Sequence, residues 1–316
     1  MVGVDVGGTK ISAGVVDDAG RVREHMRTAT PSAALIERAI TELVAPLVSA
    51  SVVAVGVSVA GFVDGARSGL IFAPNIPGWT NPDLAGTLAT RLGRPVLVEN
   101  DANAAAWGEA THGAGAGVPD LVCLTVGTGL GGGLVLGGEL RRGAWGFAAE
   151  YGHLVLVAGG RPCTCGQFGC WEQYVSGGAL EAEATQLLRD DPSERSLLRD
   201  LAQGDVTAVT GRLVTRAAER GDALAREAFA IIGTHLGVGM AQLAAVLDPA
   251  RFVIGGGVSE AGELLLAPAR EAFARALTAH DHRPLASLAV ARLGVDAGLV
   301  GAAALARAAA LLPADR

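Results

Sequence analysis

Two stretches of this chain share one layout, and that layout constrains the fold more than any other feature. Val2 to Val6 reads as a short apolar strand, Gly7-Gly8-Thr9-Lys10 turns it, and Ile11 to Val16 returns. Leu121 to Val126 is again an apolar strand, Gly127 to Gly133 a glycine loop, and Leu134 to Leu136 a return strand. Identity between the two stretches is low, so the layout carries the reading and not the letters. A strand–glycine turn–strand unit used twice predicts two related α/β lobes, and 316 residues suit two domains. We expect a small lobe over 1–115, completed by a C-terminal helix at 298–316, and a larger lobe over 116–297.

The turns themselves carry chemistry. In Asp5-Val6-Gly7-Gly8-Thr9-Lys10, glycines let backbone amides approach phosphate oxygens and Thr9 adds a hydroxyl. Asp5 could orient Mg²⁺ waters, and Lys10 could neutralise phosphate charge. An ordinary hairpin would look the same in isolation. The second turn is harder to dismiss. Five of the seven residues 127–133 are glycine, a large sacrifice of backbone entropy for a plain turn. The 45 glycines of the chain are about twice the usual ~7% share. The second turn is neither a Walker loop nor a helix-opening dinucleotide loop. Two phosphate-type hairpins in similar lobes point to a nucleotide clamped between them. Gly255-Gly256-Gly257 follows a strand and could let a nucleoside lie against the backbone, though a strand-to-helix turn would also use glycine.

Between these turns the chain reads as helix at Pro31 to Leu47, a Val-rich strand buried on both faces at Val52 to Val59, and an irregular loop ending at Trp79. Asn81 or Asp83 could cap the next helix. Val98-Glu99-Asn100-Asp101-Ala102-Asn103 then runs from strand end to helix start, the edge of an α/β sheet where ligands bind. Asp101 or Asn103 could instead serve only as a helix cap.

His153 and, after nine intervening residues, Cys163, Cys165 and Cys170 form a complete tetrahedral zinc set with no open position, so the metal should be structural. Such a metal would hold Glu150 and Glu172 in one neighbourhood. With Asn100 and Asp101, they supply what binding a polyhydroxyl ligand requires; either glutamate alone could be mere surface. Cys123 lies in an apolar strand and reads as core.

The net charge of −7 argues against a nucleic-acid surface. Asp5 and Lys10 interrupt the first apolar run, so no signal peptide is expected. Ala228 to Leu247 carries no charged residue, but its glycines, Thr234, His235 and Gln242 suit a buried, closely packed helix rather than a membrane span. A cytoplasmic protein with no membrane partner is expected.

These motifs together resemble the ROK family of sugar kinases, inside the hexokinase–actin ATPase superfamily. The resemblance rests on 5–10, 99–103, 127–133, Glu150-Tyr151-Gly152-His153 and the Cys163-to-Glu172 stretch, and it spans essentially the whole chain. It is strongest toward actinobacterial glucokinases, through Phe72-Ala73-Pro74-Asn75, residues 104–109 and Leu140-Arg141-Arg142-Gly143. It implies two actin-like (ribonuclease H-like) lobes with an interdomain cleft. It implies Asp101 as catalytic base, and Gly61, Asn75, Asn100, Asp101, Glu150, His153 and Glu172 as sugar contacts. Asp5, Gly7, Gly8, Thr9, Lys10, Gly127, Thr128, Gly129, Gly131, Gly255, Gly256 and Gly257 would face ATP. His153, Cys163, Cys165 and Cys170 would bind structural Zn²⁺. Glucose, ATP and Mg²⁺ are the implied ligands, and a homodimer or homotetramer the implied assembly. Two alternatives stay open: an N-acetylhexosamine (N-acetylglucosamine or N-acetylmannosamine) as substrate, and a sugar-sensing regulator. The regulators carry a DNA-binding module before the first glycine motif, where only four residues precede Asp5.

Overall fold

The computed structural model describes residues 1–191 and 195–311. Residues 312–316, which the sequence reading assigns to the last helix, lie outside the described residues.

The first sheet is built from β1 (Val2–Val6), β2 (Lys10–Val16), β3 (Val22–Ala29), β4 (Val55–Val59) and, after the short hairpin β5 (Phe62–Val63) and β6 (Leu70–Phe72), β7 (Val96–Asn100). Their order is β3-β2-β1-β4-β7. The hairpins pair antiparallel, whereas β1, β4 and β7 run parallel. All five residues of β4 are buried, as an unbroken Val-rich strand requires. The helices here are α1 (Ile36–Val44), α2 (Leu84–Leu92) and α3 (Asp101–His112). α1 is shorter than its periodicity suggests, because Pro46 sits in a closing 3₁₀ turn at Ala45–Leu47 and a second 3₁₀ turn, Ala33–Leu35, precedes it. Asp83, not Asn81, caps α2, accepting the Gly86 N–H at 3.1 Å.

The second sheet follows the same plan with β8 (Leu121–Val126), β9 (Leu130–Leu136), β10 (Glu139–Arg141), β11 (Arg251–Gly255) and β12 (Ser287–Val290), in the order β10-β9-β8-β11-β12. Strand for strand, this repeats the first sheet. The duplicated layout is therefore a duplicated topology, the actin-like α/β plan. Helices α4 (Gly177–Asp190), α5 (Leu197–Leu201), α6 (Gly211–Glu219), α7 (Ala223–Leu247) and α8 (Glu263–Ala276) follow the zinc-type stretch, and α9 (Ala297–Leu311) comes last.

The chain divides into two compact units. One holds Met1–Cys123, Gly132–Ala149 and the chain from Ala291 onward; the other holds Leu124–Gly131 and Glu150–Val290. This differs from a division at 115/116. Residues 132–149 return to the first unit, where Gly133 lies so close to Ala106 of α3 that a β-carbon would overlap it.

Within the first unit, α9 lies directly on the sheet. β-Carbons at Gly3 and Gly56 would overlap the Leu299 and Ala302 carbonyls, and one at Gly301 would overlap the Ala104 carbonyl of α3. This close approach buries Leu299, Val300 and Leu305 almost completely. Burying a side chain of that size contributes about 1.5–3 kcal/mol. Glu109 ties the far end of α3 down, its buried carboxylate accepting the N–H groups of Ala114, Arg292 and Leu293.

In the second unit α7 is the central helix. Asp222 caps it, accepting the Ala225 N–H at 2.8 Å. It is long and apolar enough to cross a membrane, as is Gly294–Leu311. Packing accounts for α7: Gly233 and Gly237 seat Pro268 and Ala269 of α8, and Gly239 seats Trp171.

Candidate functional site

In the first unit, register assembles the site. Val6, Val59 and Asn100 are neighbours across the three parallel strands. The turns that follow them therefore emerge at one carboxyl edge: 7–10, Ala60-Gly61, and Asn100-Asp101. In an open α/β sheet this edge is where ligands bind. The first hairpin closes with Gly7 N–H donating to the Lys10 carbonyl at 3.0 Å, leaving Gly8, Thr9 and Lys10 exposed at its tip. Gly8 abuts Asn75, with 3.0 Å from a built β-carbon to the Asn75 carbonyl oxygen. Asn75 itself is exposed on the loop anchored by Trp79, whose buried indole donates to Glu37 at 3.1 Å.

Asp5 is part-buried and accepts from Ser58 Oγ at 2.9 Å. Burial pushes its carboxyl above the usual range; the Ser58 hydrogen bond and Lys10 oppose this, and Asp296 adds to it. A carboxylate held this way gains strongly from a nearby cation, so Asp5 fits a role toward Mg²⁺.

Asn100, and neither Asp101 nor Asn103, caps α3. Its Oδ1 accepts the Asn103 N–H at 3.0 Å. Its Nδ2 donates to the Gly61 carbonyl and to Asp101 Oδ1, each at 3.1 Å. The Ala102 N–H also donates to Asp101 Oδ1, at 2.9 Å. Asp101 is thus the first residue of α3, where the helix dipole favours negative charge. The cap of α3 is therefore a neighbour of the acid and not the acid itself.

Sequence reasoning did not identify what lies beneath this turn. Glu99 is fully buried and ion-paired with Arg67 at 2.9 Å and Arg142 at 2.8 Å. A charged residue at the end of an apolar buried strand is the signal that a partner must exist. Its partners lie far away in sequence and could not be named from it.

In the second unit, the glycine turn comprises residues 127–129, closed by Gly127 N–H donating to Gly129 O at 2.9 Å. Gly131 falls inside β9, so it lies in a strand and not at the turn's tip. Gly256 has φ +84° and presses on Val126, which brings the 255–257 turn against the base of the 127–129 turn. The Gly177 N–H, at the start of α4, donates to the Gly127 carbonyl at 2.8 Å.

His153, Cys163, Cys165 and Cys170 converge, their ligand atoms all within 4.8 Å of one another. Tetrahedral zinc with bonds of ~2.3 Å to sulfur would set sulfurs ~3.8 Å apart. Cys165 and Cys170 are 3.6 Å apart, and Cys163 is 3.8 Å from His153 Nδ1. Burial and its neighbour thiols push the Cys170 thiol up to about 12, so a bound cation is what would let Cys170 ionise. The residues present therefore fit a structural zinc, bound through His153 Nδ1. Cys123, by contrast, is plain core, pushed up to about 12 by burial.

Glu172 links this cluster to the glycine turn. Its Oε1 accepts from Cys163 at 3.0 Å, and its Oε2 lies 2.7 Å from where a β-carbon of Gly129 would stand. Glu150 completes the group. Burial raises its carboxyl, His153 offsets this and the Glu172 charge adds to it. The structure thus brings together Glu150, His153 and Glu172, a donor and acceptor set suited to hydroxyl groups.

A cavity of about 700 Å³ is lined by Met1, Val53, Pro95, Val96, Ala309 and Leu311, among others. It sits at the amino ends of β1, β4 and β7, opposite the edge that carries Asn100, and is mostly apolar.

Comparison with known proteins gives the family. Residues 1–309 match the ROK family. The chain is 44% identical over 308 residues to a glucokinase of Streptomyces coelicolor, covering 97% of each chain. It is 34% identical over 310 residues to an N-acetylmannosamine kinase of Citrobacter koseri, covering 96% of this chain and 97% of the other. Among solved structures it is similar to a ROK family glucokinase from Streptomyces griseus in complex with glucose and AMPPNP. That likeness has a TM-score of 0.86 and 48% identity, and covers 98% of this chain and 99% of the other.

Proposed function

The chain belongs to the ROK family, and from that premise we propose that it is an ATP-dependent glucokinase forming glucose 6-phosphate. The observation that carries this reading is the shared edge of β1, β4 and β7, where the first glycine hairpin, Gly61 and the Asn100-Asp101 turn emerge side by side. Asp101 takes the proton of the sugar 6-hydroxyl as that oxygen attacks the γ-phosphorus and ADP leaves. Asn100 and the Ala102 N–H hold the Asp101 carboxylate in place.

Gly61, Asn75, Asn100, Glu150, His153 and Glu172 bind the sugar hydroxyls. Gly7, Gly8, Thr9, Lys10, Gly127, Thr128 and Gly129 cradle the phosphates, and Gly255, Gly256 and Gly257 meet the nucleoside. Gly131 supports the turn from within β9. Mg²⁺ bound with ATP would neutralise phosphate charge; Asp5 would orient its waters and Lys10 would face the phosphates. Zinc is structural and holds His153 beside Glu172. A homodimer or homotetramer in the cytoplasm is the proposed form, and a molar mass from light scattering tests the assembly.

Glucose is the proposed substrate over N-acetylated hexoses, supported by the higher identity to the glucokinase, 44% against 34%. ADP release with ATP, Mg²⁺ and a panel of hexoses and N-acetylhexosamines tests it. A higher kcat/KM for N-acetylglucosamine or N-acetylmannosamine than for glucose overturns it.

A further inference from the structure

We infer that Glu99 is a positioning residue, whose buried carboxylate, clamped by Arg67 and Arg142, fixes the Asn100–Asn103 turn that carries Asp101. The inference rests on the reading of Asp101 as the base.

The two carboxylate oxygens of Glu99 divide the work. Oε1 accepts the backbone N–H of Asn100 at 2.9 Å and Nδ2 of the buried Asn103 at 3.3 Å. Both of those donors belong to the turn around Asp101. Oε2 takes both arginines, Arg67 Nε at 2.9 Å and Arg142 Nε at 2.8 Å. One side of the carboxylate faces the chemistry and the other faces its support.

The support closes on itself. Arg142, whose Nε faces Glu99 as an ion pair without a well-directed hydrogen bond, donates through its two terminal nitrogens to the carbonyls of Asp64 and Gly65, at 2.8 and 2.9 Å. Asp64 in turn holds the turn that bears Arg67, accepting from Ser68 N, Ser68 Oγ and Gly69 N. Arg67 has φ +61°, a left-handed conformation that a non-glycine residue adopts only when its surroundings enforce it. Its carbonyl accepts the Val98 N–H at 3.0 Å, beside Glu99 in β7. Three segments far apart in sequence therefore converge on one carboxylate.

A core-filling role does not need this arrangement. The strand leading here is Val96-Leu97-Val98, and another apolar residue would continue it at lower desolvation cost than a buried charge. The charge supplies direction: two acceptor sites aimed at Asn100 and Asn103, held by cations that cannot be deprotonated. Reacting groups displaced by ~1 Å can lose ~10²-fold in rate, so a carboxylate that sets the turn bearing the base acts on turnover.

The test is Glu99→Gln, with Arg142→Gln as a second variant because it leaves the Glu99–Arg67 pair intact and is less disruptive to folding. Each is assayed with glucose and ATP-Mg²⁺ well below its thermal midpoint. Glu99→Gln should lower kcat by about tenfold or more, with KM for ATP within about twofold. Arg142→Gln should lower kcat by at least about threefold, again with KM for ATP unchanged. The double variant should be no worse than the poorer single variant, because both act through one clamp. A purely structural role predicts lower thermal midpoints with kcat intact. If Glu99→Gln does not fold, Arg142→Gln decides on the same criteria. Asp101→Asn, run alongside, separates the two readings. If it loses turnover while the folded clamp variants keep kcat within about twofold of wild type, the clamp is overturned and the base stands. If Asp101→Asn keeps turnover, the base reading fails and the clamp has nothing to position.

Discussion

The carboxamide of Asn100 reaches Asp101, its Nδ2 donating to Asp101 Oδ1 at 3.1 Å while its own Oδ1 closes the amino end of α3. One side chain thus performs the capping that α3 needs and orients the acid beside it. The helix cap and the proposed base are adjacent residues, so the two roles can be perturbed separately.

The metal cluster gives one separable prediction. Cys165→Ser should bring zinc content toward zero and release the loop bearing Glu172, since Cys165 and Cys170 stand 3.6 Å apart in a closed ligand set. Structural zinc can contribute on the order of 10 kcal/mol to local folding. Elemental analysis of the purified protein checks this. Less than about half an equivalent of zinc per wild-type chain, with full activity, contradicts it.

Asp5→Asn should stabilise the ligand-free protein at pH 7 while abolishing most turnover. Burial raises the native pKa of Asp5 above its unfolded value, so its contribution is fully present below the unfolded pKa and is lost as pH rises through the folded one. Ionising Asp5 works against its burial, asparagine cannot ionise, and the asparagine carbonyl can still accept from Ser58. Thermal midpoints at pH 7 measured without nucleotide give the answer; a lower midpoint for the variant contradicts the account.

Gly301→Ala should lower the thermal midpoint by about 2 °C or more, because overpacking costs about 1–3 kcal/mol and here the obstacle is the Ala104 carbonyl of α3. Backbone cannot move aside as a flexible side chain can. An unchanged melting curve would mean that α9 does not seat against α3 as described.

Local signals made the fold and the metal-ligand cluster readable. The strand–glycine–strand unit announces itself over fifteen residues, and its recurrence foretold two sheets of one topology. The His153 and cysteine spacing likewise states its geometry. What lay hidden depends on distant partners or on glycine's lack of a side chain. Glu99 is visible as a charge in an apolar strand, but Arg67 and Arg142 meet it only in three dimensions. Gly131, Gly132 and Gly133 read as loop because glycine shows no periodicity, yet all three lie in β9, and Gly133 is small because α3 lies on it. The sequence reading offers Asp101 or Asn103 as the cap of α3, and hydrogen-bond geometry selects Asn100 instead.

The central claim is that Asp101 is the base. Asp101→Asn keeps size and hydrogen-bonding shape but cannot accept the hydroxyl proton, and Asn100 still caps α3. The decisive measurement is kcat with glucose and ATP-Mg²⁺ for this variant, alongside its glucose affinity and thermal midpoint. For Asp101→Asn kcat should fall by about 10²–10⁴ with fold and sugar binding little changed; a folded variant that keeps more than about a tenth of wild-type turnover would mean that Asp101 is not the base.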